Sequence, residues 1–328
     1  MPAMYDVITF GETMVRLRPP GYQRLEQADS LEMSIGGSEL NTAAGLARLG
    51  LKTCWVSKLV SNSLGRFIAN KGRELGVDMS HLVWTGVGRV GTYFIEQAAH
   101  PRPITLVYDR KNSAITTIQP GEVDWAALFR QTRLFHTTGI NPALGPNVAR
   151  ETKTAMAAAK AAGCKVSFDP NMRFNLWTIE EARLAFSELL PYVDILFSPA
   201  EALAMFFDIT GEPIAAANAA RARFGLEVVA MGRRENLGQL RGAWSSLAVA
   251  DRVYEGARRE MEIVDRIGAG DAYAAGFLRG YLAGDLEQAV AWGDAMCVLK
   301  HTLPGDLPWL TVADVEELVA GTARGIRR

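Results

Sequence analysis

The spacing of apolar positions changes several times along the chain, and each change predicts an element. Tyr5-Asp6-Val7-Ile8-Thr9-Phe10, closed by Gly11, is rich in β-branched and aromatic residues and predicts a first strand. Residues 13–35 have no helical period and contain Pro19-Pro20-Gly21, a strong turn signal, so only short strands are expected there. From Ser38 the period becomes helical. Leu40, Ala43, Ala44, Ala47 and Leu49 supply the apolar positions, Ser38 suits an N-cap and Gly50 a C-terminal stop. A strand over 53–59 and a helix over 64–75 follow.

Between Gly91 and Asp109 the pattern turns to strand again. Thr92–Ile95 and Ile104–Tyr108 flank Pro101-Arg102-Pro103 and predict a hairpin. Residues 13–36 and 90–111 thus form a small β-rich lobe inserted in two pieces into a body of 1–12, 37–89 and 112–328. Beyond Gly121, strands at 134–137, 165–169, 195–198 and 228–231 alternate with helices at 146–162, 180–189, 199–206 and 213–223. That alternation predicts an α/β fold, a parallel sheet covered on both faces, with ligands at the carboxyl ends of its strands. Residues 239–262 read as short strands or a loop, and helices at 271–283, 286–301 and 311–319 end the chain.

Composition narrows the function by exclusion. The 35 basic and 36 acidic side chains leave a formal charge of −1, no field for a nucleic-acid partner. Cys54, Cys164 and Cys297 are isolated in apolar surroundings, as core thiols of a reducing compartment are. No CxxC or HExxH spacing offers a zinc site. Met1–Phe10 lacks the make-up of a signal peptide, and no stretch approaches the roughly 18 apolar residues of a membrane span. A cytoplasmic protein without a membrane partner is expected.

The chemistry centres on Gly268-Ala269-Gly270-Asp271, small residues leading into a helix. Such a turn leaves backbone N–H groups unpaired at the positive end of the helix dipole, a cradle for a phosphoryl group. Asp271 beside it can take a proton from an attacking hydroxyl, so one turn offers what phosphoryl transfer to an alcohol needs. The plainer reading is a tight turn with Asp271 capping the helix. Gly86-Val87-Gly88-Arg89-Val90-Gly91 matches GxGxxG, but the strand-like residues and prolines after it forbid the helix that dinucleotide binding requires. A GxxxxGK[ST] loop is absent.

Ile35-Gly36-Gly37-Ser38-Glu39-Leu40-Asn41 is a second anchor, with glycines that admit close approach of a ligand to the backbone. It resembles the N-terminal signature of the ribokinase-like (PfkB) sugar kinases. Val264–Gly276 resembles the family's C-terminal signature, Asp-Thr-x-Gly-Ala-Gly-Asp, with Arg266 in place of threonine. The resemblance spans essentially the whole chain. It implies a three-layer α/β/α body with a mostly parallel sheet and a β-rich lid, ATP as donor, and Mg2+. Asp271 becomes the general base, and the amides of Gly268, Ala269 and Gly270 stabilise developing charge. Gly36, Gly37 and Asn41 touch the sugar.

Further segments carry further roles by the same resemblance. Phe168–Arg173 implies Asn171 near the nucleotide and Arg173 near the phosphoryl group or the acceptor. Phe197–Glu201 resembles Asn-x-x-Glu, with Ser198 in the asparagine's place and Glu201 holding magnesium through water. Gly232 would lie beneath the nucleotide, and Asp294 beside the acceptor.

Gly11-Glu12-Thr13-Met14, Tyr108-Asp109-Arg110, residues 169–173 and residues 300–306 most resemble the 2-keto-3-deoxygluconate kinases. A sugar acid needs a cation for its carboxylate, and arginine binds one bidentately. Arg110 fits that need unless it is a solvated hairpin charge, Arg173 is the second candidate, and Tyr93 and Tyr108 can pack on the sugar. A fructokinase or ribokinase acting on a neutral sugar is the nearer alternative, and a non-catalytic sugar sensor the more distant one. Exposed edges of the lobe would allow a homo-oligomer.

Overall fold

The computed structural model describes residues 4–238 and 240–322, so positions 1–3, 239 and 323–328 of the expected body lie outside the described residues. The largest sheet among the described residues has nine strands. From one edge it runs Val253–Glu255, Arg241–Val249, Val228–Asn236, Ile195–Phe197, Lys165–Asp169, Thr132–Thr138, Tyr5–Phe10 and Thr53–Val56, with Arg259–Glu262 also on Arg241–Val249. The strands from Thr53–Val56 through to Val228–Asn236 pair in parallel, with Val7 opposite both Thr53 and Leu134. Both faces of these strands are covered. Val7, Ile8, Phe10, Leu134, Phe135, Val166 and Phe168 are fully buried, which explains apolar runs rather than strict alternation.

Two apolar layers seal the sheet. On one face Phe135, Phe168 and Leu196 join Met156, Phe186 and Ala217 of helices Pro146–Ala161, Ile179–Leu189 and Pro213–Phe224. On the other, Leu134, Ile195 and Phe197 join Tyr273, Phe277 and Met296 of helices Ala269–Leu282 and Leu286–His301. The result is the three-layer α/β/α body that the resemblance implied.

The lid is a four-stranded sheet ordered Glu32–Gly36, Met14–Arg18, Thr92–Glu96 and Thr105–Asp109. Its middle pair, Arg16 opposite Tyr93, runs in parallel and knits the two inserted pieces together. Residues Gly86–Gly91 join Val83–Thr85 to Thr92–Glu96 without a helix, so no dinucleotide fingerprint forms there.

Local differences from the sequence pattern have simple causes. The strand at 53–59 splits at Ser57, and Lys58–Val60 leaves the main sheet to pair with Val83–Thr85. Val228–Asn236 runs five residues past the expected end and forms a long antiparallel hairpin with Arg241–Val249. Arg233, Arg234, Glu235 and Asn236 are exposed and polar, so no apolar alternation marked them as strand. Among the described residues no helix is long and apolar enough to cross a membrane.

Candidate active site

Two cavities meet at the carboxyl ends of the parallel strands. One, about 390 Å³, lies under the lid. Gly36, Gly37, Asn41, Tyr93, Tyr108, Arg110, Arg173, Gly268, Gly270 and Asp271 line it, so most of the expected acceptor and catalytic residues come together there, and Asn171, expected near the nucleotide, lines this cavity instead of the other. The other, about 450 Å³, is lined by Ser198, Glu201, Gly232 and Gly270 of the expected nucleotide group. Gly270 borders both.

The junction is built by a helix start. Helix Ala269–Leu282 has Gly268 as its N-cap, at φ 80°, two residues before the pattern suggested. A side chain at Gly268 would collide with the carbonyl oxygen of Asp306, so glycine is needed for fit as well as for φ. The first amides of a helix lack partners inside it, and here they belong to Ala269, Gly270 and Asp271. Ala269 is buried behind the cavities, whereas Gly270 opens onto them. Asp265 fixes the approach to this turn, accepting from the Ile267 and Gly305 amides at 3.1 Å each.

Asp271 sits in the first turn rather than at the cap, and its carboxylate is held from across the molecule. Ser38 donates to Oδ1 at 2.6 Å and Asn41 to Oδ2 at 2.7 Å. The network continues outward. Asn171 donates to the Ser38 hydroxyl at 3.0 Å, and Arg173 to Asn171 Oδ1 at 2.5 Å. Burial pushes the Asp271 pKa up, while Ser38, Asn41 and Arg173 pull against it by bonding or attracting the ionised form. Ser38, expected as a helix cap, is the first residue of helix Ser38–Arg48, and Gly37 is the cap.

On the lid side, Tyr93 and Tyr108 stack with centroids 5.7 Å apart. The Tyr93 hydroxyl donates to Asp306 at 2.6 Å. Asp306 also accepts from Arg16 at 2.6 Å, and Arg16 from its other terminal nitrogen bonds Asp265 at 2.5 Å. Arg110 is not a solvated hairpin charge. It is buried and forms an ion pair with Glu12 at the cavity wall.

Asp294 requires a correction. It lies away from the acceptor cavity, on helix Leu286–His301, and accepts from Trp244 Nε1 at 2.7 Å. Its carboxylate lines a separate cavity with Gly256 and Val290, and burial raises its pKa to about 6. The carboxylate that does line the acceptor cavity beside Tyr93 is Asp306. Arg16 had no functional signal in the sequence, and Glu12 and Ser38, although within segments that resemble the family, had no role of their own, because the partners of the three are 290, 98 and 233 residues away.

A parallel α/β body whose glycine-rich helix mouth opens on a lidded, polar cleft defines a carbohydrate kinase, a phosphotransferase acting on a sugar hydroxyl. The chain belongs to the pfkB family of carbohydrate kinases, which it matches over residues 4–308. It is 36% identical to the 2-dehydro-3-deoxygalactonokinase of Haloferax volcanii, over 98% of this chain and 99% of that one. The 2-dehydro-3-deoxygluconokinase of Bacillus subtilis is 31% identical over 93% and 92% of the two chains. The crystal structure of 2-dehydro-3-deoxygluconokinase from Thermotoga maritima superposes with a TM-score of 0.93 at 34% identity, covering 98% of this chain and 100% of the other.

Proposed function

We propose that the protein transfers the γ-phosphoryl group of ATP to the terminal hydroxyl of a 2-keto-3-deoxy sugar acid, with Asp271 as general base. The observation that carries this reading is that Asp271 lines the cavity under the lid directly after Gly270, which borders both that cavity and the one over the sheet. The names of the two relatives and of the solved neighbour support the acceptor class. Arg173, which bonds only neutral oxygens of Asn171 and Met172, keeps its charge on the acceptor cavity for a carboxylate, whereas the charge of Arg110 is balanced by Glu12.

In this reaction Asp271 accepts the proton of the attacking hydroxyl, the new P–O bond forms in line, and the bond to the ADP oxygen breaks. The amides of Gly270 and Asp271, prepositioned by the Gly268 turn, stabilise charge on the phosphoryl oxygens. Among the described residues no group of three or more His, Cys, Asp or Glu could hold a metal alone. A Mg2+ ion that keeps its waters and shares phosphate oxygens needs only one or two carboxylates. Asp169 and Glu201, oxygen donors on the nucleotide cavity, fit that demand. Bound there, Mg2+ would neutralise charge on the triphosphate.

The test is ATP consumption over 2-keto-3-deoxygluconate, 2-keto-3-deoxygalactonate, fructose and ribose, with the product's phosphate position read by NMR. A 6-phosphate of one of the keto-deoxy acids is the expected product. Turnover confined to fructose or ribose would replace the acceptor, and ATP-independent binding alone would make the protein a sensor.

A further inference from the structure

Three residues border both cavities: Asp169, Gly270 and Arg234. Arg234 is the only cation of the three, and it lies on the hairpin strand that outruns the expected one. The other arginines near the acceptor are already engaged. Arg110 pairs with Glu12, Arg16 with Asp265 and Asp306, and Arg173 bonds the oxygens of Asn171. The backbone of Arg234 pairs with Trp244 in the hairpin, and its side chain makes no hydrogen bond or ion pair among the described residues. Glu235, its neighbour in sequence, is taken by Arg258.

Arg266, half-buried on the acceptor cavity, stands close enough to feel Arg234. Burial first, and then the charge of Arg234, press its pKa down. Two guanidinium groups that repel across a cavity mouth form a place for an anion, because an anion between them relieves the repulsion. The anion that must pass between these cavities is the one in transfer.

We propose that Arg234, with Arg266 beside it, is a further catalytic residue, a guanidinium that clasps the phosphoryl group as it crosses from nucleotide to acceptor. This rests on the reaction proposed above. The acceptor oxygen bonds to phosphorus, its proton goes to Asp271, and the electrons of the breaking P–O bond go to ADP. Arg234 neutralises the equatorial oxygens meanwhile, a role that fixed donors perform strongly in a site closed to water.

Arg234→Met and Arg234→Lys are compared with the parent in two assays. In turnover, Arg234→Met should lose about 10²–10³ in kcat, with the acceptor KM little changed and Arg234→Lys recovering part of the loss. In equilibrium binding, read by thermal shift, Arg234→Met should weaken ATP and leave AMP unchanged, since AMP lacks the phosphates the clasp would hold. Parental kcat in Arg234→Met, or equal weakening of ATP and AMP, overturns the proposal. If the parent protein turns over none of the acceptors, the reaction assignment fails, and the ATP-against-AMP comparison still decides whether Arg234 holds the outer phosphates.

Discussion

Asn41 donates to Asp271 at 2.7 Å, joining residues 230 positions apart and tying helix Ser38–Arg48 to helix Ala269–Leu282. With Ser38 on the other oxygen, both lone-pair faces of the carboxylate are directed. Asp271→Asn should lower turnover by about 10²–10⁴-fold, the usual worth of a general base, while ATP binding persists. Parental turnover in that variant would contradict the role. Burial raises the Asp271 pKa and the bond from Ser38 lowers it. Turnover should therefore fall as pH drops through a value above the usual carboxylate range. Ser38→Ala should move that acid limb to still higher pH, and a limb that stays put would remove Asp271 from the proton transfer.

Gly268 and Gly270 should respond differently to the same methyl group. At Gly268, a Cβ meets the Asp306 carbonyl and the backbone stands at φ 80°, so Gly268→Ala should disturb the fold around the turn. At Gly270 a Cβ finds nothing within 4 Å, because it enters the shared mouth of the cavities. Gly270→Ala should keep the parental melting temperature and lose turnover by about two orders of magnitude, the scale of one misplaced contact at the reacting centre. Melting curves together with kcat distinguish the two, and an active Gly270→Ala would place the phosphoryl group elsewhere.

How much of this was legible in the sequence depends on range. The Gly36-Gly37 and Gly268–Asp271 segments are local, and their backbone demands show in residue types, so the turns and the family resemblance could be read from them. The parallel strands announced themselves because both faces are buried. Arg16–Asp306 and Ser38–Asp271 are tertiary pairs, and nothing near either partner in sequence records the other. Asp294 shows the opposite failure: a polar residue in a segment resembling a site turned out to serve Trp244. The 233–236 stretch escaped because an exposed strand carries no core-facing period.

Arg16 is fully buried between Asp265 and Asp306, and Lys300 is buried with them. Removing one partner of such a group leaves carboxylates stranded in a low dielectric, which typically costs 3–5 kcal/mol. Arg16→Met should therefore lower denaturation stability by about that amount. It should also free Asp306, which Tyr93 alone would then hold, and raise the acceptor KM. Chemical denaturation checks the first effect. A loss under about 1 kcal/mol would mean that the pair is far less desolvated than it looks.

Asp294 is tied to the nucleotide cavity through Trp244, which lines that cavity while its Nε1 donates to the carboxylate. Asp294→Ala should thus loosen the Trp244 ring and raise KM for ATP several-fold, leaving the acceptor KM near the parental value. A change confined to the acceptor KM would return Asp294 to the sugar.

Glu39 lies buried behind Asn41, accepting from Thr138 at 2.6 Å, and burial raises its pKa to about 8 despite that bond. An unfolded glutamate releases its proton near 4.3. Between those values the native carboxyl holds a proton that the unfolded chain has lost, so this residue's contribution to stability falls as pH rises through the window, levelling above about 8. Glu39→Gln keeps the shape and has no proton to lose. The melting temperature of the variant minus that of the parent should therefore climb steadily from about pH 5 to about pH 8 and then flatten. A difference that is constant over this range would show that Glu39 is ionised in the native protein, held by charges it does not now touch.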